Sequence, residues 1–105
     1  MNVHSISDLN LHDSNLVKIV VELDTTTLLL DYIDDYETCA TSRKGLIFLG
    51  CTELSVKTRP GYAGPDPILR GDQMRVGNKG RVRIETNTTA SIIELTADSI
   101  ELLDA

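Results

Sequence analysis

Large aromatic side chains are scarce in this sequence, which has no tryptophan and a single phenylalanine among 105 residues. A core must therefore be built from leucine, isoleucine and valine. The hydrophobic content of 41% is that of an ordinary globular protein and excludes a disordered chain. A chain of this length buries enough surface to fold without metal or disulfide support. We expect a single β domain over residues 1–105.

The sequence also lacks the features of exported and membrane proteins. No apolar run approaches the roughly 18 residues that a membrane-spanning helix needs, and the first residues lack the basic and apolar regions of a signal peptide. The two cysteines, Cys39 and Cys51, do not form a metal-binding pair such as C-x-x-C. Reduced thiols fit this pattern better than a disulfide does. We expect a cytoplasmic protein with no membrane partner.

Alternation of apolar and polar residues with a period of two is clearest near the end of the chain. Residues 81–86, 91–96 and 98–102 each follow this rhythm. Successive side chains of a strand point to opposite faces, so one face of these segments is buried and the other is wet. We expect two or three of them to form an antiparallel meander.

The first half of the chain also predicts strands. Residues 16–23 and 27–33 predict a β-hairpin, with the odd-numbered apolar residues of the first strand sharing one face. Residues 45–57 predict one or two strands with a bend or bulge at Gly50. Residues 36–43 fit either a short edge strand or a loop.

The remaining segments complete the predicted fold. All three prolines lie within residues 60–67, which predicts a loop, and residues 68–76 predict a further strand. Ser5 or Ser7 can cap a short helical turn, and no sustained 3.6-residue periodicity is present. We expect a mainly β fold, an antiparallel β-sandwich or roll of about seven to eight short strands with at most one short helical turn.

The net charge of −6 is unevenly distributed. Residues 57–83 hold seven basic and two acidic residues, which leaves −11 on the rest of the chain. The basic segment is either a charged surface that orients a partner, or a set of side chains that pair with acidic residues across the sheet. Glu85 and Glu94 should lie beside Arg81 and Arg83 on neighbouring strands and pair with some of the arginines. Since the acidic remainder would repel a polyanion, we expect no nucleic-acid partner.

Residue patterns for catalysis and cofactor binding are missing. The only conventional bases are His4 and His12, and there is no G-x-S-x-G elbow and no phosphate-binding glycine motif. His12-Asp13 resembles a metal-ligating dipeptide, but a metal site needs three or four converging ligands. A turn stabilised by these polar side chains is the simpler interpretation. We expect no catalytic residue, no metal and no cofactor.

The acidic run at residues 31–37 is the best candidate for a functional site. It can be a solvated hairpin end, a cation-binding loop, or an anionic surface whose tyrosines contact a basic partner. Tyr32 belongs to this run, and its strand position also suits the core. We assign partner binding to this run and to the proline-rich loop, at Asp31, Asp34, Asp35, Tyr36, Glu37 and Tyr62.

The segment Leu11-His12-Asp13-Ser14-Asn15-Leu16 leads directly into the first predicted hairpin. It resembles a group of small bacterial proteins in which an N-terminal His-Asp-Ser or His-Asp-Ala cluster precedes an antiparallel β domain. Some of these proteins look like immunity proteins of polymorphic toxin systems, which bind and block a cognate toxin. The resemblance implies that His12, Asp13 and Ser14 form a structural lead-in to the first strand, and it supplies no catalytic residue.

These observations predict a non-catalytic domain that binds another protein, with a toxin-neutralising immunity factor as the form that the resemblance suggests. The alternative is a homo-oligomeric structural protein, such as a homodimer. Apolar residues on both faces of the strand around Ile47 and Leu49 favour a central strand or a second face covered by another layer or subunit. Two further alternatives remain: a small enzyme that uses His12, and a domain that binds a small molecule in a cavity between two sheets.

Overall fold

A computed structural model describes residues 1–58, 64–86 and 91–105. Within these ranges the chain forms nine strands and one short 3₁₀ turn, so the predicted mainly β fold is confirmed with one more strand than expected. The elements in chain order are β1 (Asn2–Val3), the 3₁₀ turn (Ile6–Asp8), β2 (Asn15–Val21), β3 (Thr25–Asp35), β4 (Ala40–Leu49), β5 (Thr52–Thr58), β6 (Ile68–Val76), β7 (Lys79–Thr86), β8 (Ser91–Ala97) and β9 (Ser99–Asp104).

The strands form two antiparallel sheets. The first sheet has the order β1-β9-β4-β3-β2 and the second has the order β5-β8-β7-β6. β4 is the middle strand of the first sheet, which agrees with the central position predicted from its two apolar faces. None of the helical structure in the described ranges is long and apolar enough to cross a membrane.

The core lies between the two sheets and is almost entirely aliphatic, as the scarcity of aromatic residues predicted. Alternate residues of β3, β4, β7 and β8 point inward and join one hydrophobic cluster. Phe48 lies within this cluster. The inward residues with no exposed surface include Leu28, Leu30, Leu46, Phe48, Val82, Ile84, Ile93 and Leu95. These side chains occupy the space between the two sheets.

The bend predicted at Gly50 is the point where the chain leaves the first sheet for the second. Gly50 has a φ of +62° between β4 and β5. A Cβ at this position would collide with the carboxylate of Asp98. Glycine is therefore required for both reasons: the left-handed backbone and the close approach of a neighbouring loop.

The predicted C-terminal meander is confirmed for two of its three segments, β7 and β8. β7 and β8 pair with each other, but β9 leaves the second sheet and lies between β1 and β4. Alternation determines which face of a strand is buried, and the inner faces of both sheets are apolar. The pattern therefore cannot distinguish between the two sheets as a place for β9.

A bulge corrects the predicted face of β2. The register with β3 shifts between Leu16 and Lys18, which adds one residue to β2 at this point. As a result Leu16 is buried, whereas Val17 is 42% exposed. An extra residue reverses the alternation, so Val17 loses the buried position that it was expected to share with Ile19.

The N-terminal segment packs against the inner side of the edge strand β6. Ser5 caps the 3₁₀ turn, as predicted, and the backbone N–H of Ile6 donates to Gln73 Oε1 at 2.9 Å. The side chains of Ile6 and Leu11 lie over Gly71, where any Cβ would be 2.9 Å from Ile6 Cδ1. Gly71 therefore leaves the space in which the N-terminal segment is seated.

Replacing Gly71 with Ala should destabilise the protein, because the new methyl group overlaps a buried isoleucine. The free energy of unfolding should fall by about 1–3 kcal/mol. Gly45→Ala is the matched control in β4, since its Cβ would meet only Thr27 Cγ2 at an ordinary 3.5 Å. Urea denaturation at one low protein concentration measures the free energy of unfolding of both variants. Equal stability for the two would contradict this packing.

Candidate partner-binding surface

The predicted acidic run lies at the end of the hairpin formed by β3 and β4. Asp34 and Asp35 close β3, and residues 36–39 make the turn, all of them exposed. The Asp35 carboxylate accepts a hydrogen bond from the backbone N–H of Glu37 at 2.9 Å, which stabilises the turn locally. We call Asp34, Asp35, Tyr36 and Glu37 the acidic tip.

Tyr36 is the aromatic residue of the acidic tip. Tyr36 is 47% exposed, and its hydroxyl donates a hydrogen bond to the backbone carbonyl of His12 at 2.8 Å. Partial burial raises the pKa of the Tyr36 phenol, and the nearby charge of Asp13 adds to this effect. The phenol therefore remains a neutral donor, and its hydrogen bond fixes the acidic tip against the turn at residues 12–14.

The carboxylates of the predicted site differ in their partners. Asp31 lies on the face of the first sheet that is turned away from the core. Its carboxylate accepts a hydrogen bond from Arg43 Nε at 2.8 Å and forms an ion pair with it. Asp34 accepts a neutral hydrogen bond from Ser42 Oγ at 3.0 Å. In the part of the chain that the structure describes, no cation lies within ion-pair distance of Asp34, Asp35 or Glu37. The acidic tip therefore presents three carboxylates that have no ion pair among the described residues, a property that Asp8, Glu22, Asp24 and Glu101 share.

Two further tyrosines were considered for the site. Tyr32 is buried, and its hydroxyl accepts from the backbone N–H of Asn10 at 2.9 Å, so it belongs to the core. Tyr62 lies outside the described residues. Arg43 was missed from the sequence, because its pairing with Asp31 depends on the length of the turn between β3 and β4.

The His-Asp-Ser cluster holds the two sheets together at one corner. Ser14 is fully buried; its hydroxyl donates to the carbonyl of Asn10 at 2.6 Å and accepts from the backbone N–H of Ile33 at 3.0 Å. The backbone N–H of Asp13 donates to the carbonyl of Ile68 at 2.9 Å, and the N–H of Ile68 donates to Ser14 O at 2.8 Å. The cluster is thus a turn with a structural role.

His12 is held in this turn by a contact of its imidazole with β6. Its Nδ1 lies 2.8 Å from the carbonyl oxygen of Leu69, which can only accept, so the ring nitrogen donates. The imidazole is exposed, and its other nitrogen is 3.6 Å from Asp13 Oδ2. The ring therefore points to the edge of the second sheet and not to the acidic tip.

Arginines and glutamates form a ladder on the outer face of the second sheet. Arg83 Nη1 lies 2.7 Å from Glu94 Oε1, Arg81 Nη2 lies 3.5 Å from Glu94 Oε2, and Arg70 Nε donates to Glu85 Oε1 at 2.5 Å. The predicted pairing of Glu85 and Glu94 with arginines is confirmed. Pairing within the sheet thus neutralises much of the basic segment.

Glu85 is the most enclosed member of the ladder, with 12% of its side chain exposed. The hydrogen bond from Arg70 lowers the pKa of this carboxyl below its ordinary value of 4.5, and Arg83 adds to the effect. Burial acts in the opposite direction and is outweighed. Glu85 is therefore charged at neutral pH and stabilises the folded state through its two arginines.

Other reactive side chains are dispersed. Cys39 is exposed in the hairpin turn, and Cys51 is a half-buried thiol that accepts from Thr26 Oγ1 at 3.3 Å. Across residues 1–58, 64–86 and 91–105, no three His, Cys, Asp or Glu side chains converge as metal ligands. What the described surface presents is charge and an aromatic contact.

No protein-family model matches the chain, and no curated protein matches it either.

Ser14→Ala should lower the free energy of unfolding by about 1–3 kcal/mol, because it leaves a carbonyl and an N–H without their shared partner. Ser55→Ala is the control, since Ser55 is exposed on the edge strand β5. The control should stay within about 0.5 kcal/mol of the parent. Equal losses in the two variants would mean that Ser14 does not hold the corner.

Glu85→Gln should remove a pH-dependent part of the stability. Because the pKa of Glu85 is lowered by folding, its contribution is present above pH 4.5 and is lost as the pH falls through the lowered folded-state pKa. The stability difference between parent and variant should therefore shrink with acidification. Urea denaturation across a pH series measures it, with Glu22→Gln as an exposed control. A difference that widens on acidification would contradict the ladder.

Proposed function

We propose that this chain is a non-catalytic domain that binds a basic surface of another protein through the acidic tip, as an immunity protein binds and blocks a toxin. The observation that carries the proposal is the contrast between two charged regions. Arg70, Arg81 and Arg83 of the second sheet are paired with glutamates of the same sheet, whereas the carboxylates of Asp34, Asp35 and Glu37 have no ion-pair partner among the described residues.

The charge of the tip suits association with a cationic partner. The protein carries −6 overall, and the local pairing of the basic segment prevents that segment from cancelling the field around Asp34, Asp35 and Glu37. Opposite charge accelerates encounter and orients the partner more than it strengthens the final complex. The carboxylates therefore account for attraction and register.

Tyr36 supplies the contact area that the carboxylates lack. Its ring is about half exposed, and the bond to His12 O limits its motion before any partner arrives. A tyrosine held in this way loses little conformational entropy on binding and contributes both apolar area and a polar edge. We infer that Tyr36 is the main source of affinity within the acidic tip.

The chemistry of the tip favours binding over catalysis. Its groups are carboxylates and a phenol whose pKa is raised, and the His12 imidazole is turned away to Leu69 O. A domain of this kind acts by covering a surface of its partner. The resemblance of the segment around His12 and Ser14 to immunity-like proteins supports a toxin as the partner.

The test is capture of a partner from native cell lysate with tagged protein, at low and high salt, read by mass spectrometry. The tip variant Asp34→Asn/Asp35→Asn removes two charges and keeps the oxygens that accept the local hydrogen bonds. Glu22→Gln/Asp24→Asn is the matched control, since it removes two exposed carboxylates at the other end of β3. We expect one stoichiometric partner, weakened by salt, lost by the tip variant and retained by the control.

Titration of the captured partner then ranks the residues of the tip. Tyr36→Ala should weaken binding more than Asp34→Asn, because a partly desolvated ring contributes more than an exposed carboxylate. Tyr36→Phe separates the ring from its hydroxyl. Equal effects of Tyr36→Ala and Asp34→Asn, or equal capture by the tip variant and its control, would refute the proposed mode of binding.

A further inference from the structure

The outer faces of the two sheets differ in chemistry. The second sheet carries the ladder of arginines and glutamates, whereas the first sheet carries apolar side chains on the face turned away from the core. Its middle strand contributes Ile47 and Leu49, both half-buried. The apolar residues of this outer face are Val20, Leu29, Ile33, Ile47, Leu49 and Leu103, and the face also carries the ion pair of Asp31 with Arg43.

The register places two charges beside this apolar stripe. Lys18 of β2 lies opposite Leu29, in the row that continues through Gly45 to Leu103. Glu101 of β9 lies opposite Ile47, in the next row. Lys18 and Glu101 are therefore on opposite sides of the stripe. Within the described ranges, neither of them belongs to an ion pair.

We propose that a second copy of this chain covers the outer face of the first sheet, around a two-fold axis that runs along β4. β4 is the middle of five strands, so this rotation places β3 over β9 and β2 over β1 of the other copy. Leu29 then faces Leu103, and Ile47 meets its own counterpart at the axis. Two sheets packed in this way have strand directions aligned to within about 30° and interdigitating side chains.

The charges select this axis. Rotation about β4 brings Lys18 of one copy diagonally over Glu101 of the other, and the symmetry repeats the pair. An axis across the strands would instead place β9 over β9, so that Glu101 approached its own counterpart. Like charges in an interface are unfavourable, whereas opposite charges fix the register. The two-fold axis along β4 satisfies both charges. Arg43 of β4 meets its own counterpart at this axis while it remains paired with Asp31 of the same chain, so this approach is between neutralised pairs.

The self-complementary nature of the face favours a second copy over a different protein. A two-fold interface requires that each residue find its complement within the same surface, and both the leucines and the charges do so here. The dimer does not depend on the proposed function. It places the acidic tips of both copies at the same end of the assembly, with a repulsion that physiological salt partly screens.

The experiment is sedimentation velocity over a concentration series, with charge reversals on the two sides of the stripe. Lys18→Glu and Glu101→Lys should each weaken dimerisation by about tenfold or more, because each creates two like-charge pairs. The double reversal Lys18→Glu/Glu101→Lys should restore dimerisation, because it exchanges the two signs. Ile47→Lys should abolish it.

Matched controls keep the result specific. Lys57→Glu on β5 and Glu22→Lys beside the β2–β3 turn reverse exposed charges away from the stripe and should leave dimerisation unchanged. The tip variant Asp34→Asn/Asp35→Asn should dimerise like the parent, so a failure of the proposed function would be seen separately.

Two results would overturn the dimer. A parent chain that stays monomeric at every concentration would show that a second copy does not cover this face. A double reversal that dimerises no better than either single reversal would contradict the proposed two-fold axis along β4. Restoration by the double reversal supports the proposal even if Ile47→Lys fails to fold.

Discussion

Hydrogen bonds between residues 13–16 and 66–68 join the start of β2 to the start of β6, and the two sheets depend on this corner for their relative position. The segment exchanges backbone bonds between Asp13, Ser14 and Ile68, and a bridge pairs Asn15 with Pro67. The Ser14 hydroxyl then connects the same corner to β3. The backbone bonds of this corner and the two bonds of the Ser14 hydroxyl stabilise it, since an unpaired buried polar group is costly.

The corner also positions the candidate binding surface. Tyr36 at the end of the β3–β4 hairpin donates to the carbonyl of His12, which belongs to the same turn. The structural cluster and the candidate binding surface are thus coupled through one hydrogen bond. The acidic tip lies in the exposed turn between β3 and β4, at one end of the first sheet.

Much of the fold was predictable, because the period-two pattern of β3, β7 and β8 is strong enough to identify each strand and its buried face. The pairing of Glu85 and Glu94 with arginines followed from the same pattern, since neighbouring strands place charged residues side by side. The predicted face of Val17 was wrong because of the bulge in β2, and the pattern left open which sheet receives β9. Both points concern pairing between strands that the local sequence does not encode.

The sequence by itself determined the strand content, the aliphatic core and the acidic character of residues 31–37, because each follows from side-chain type and its period along one strand. Only the tertiary structure decided which sheet receives β9, that Asp31 is paired while Asp34 and Asp35 are not, and that Tyr32 is buried while Tyr36 is exposed. The physical reason is that these properties depend on residues distant in sequence, which meet only when the register and the turn lengths bring their strands together.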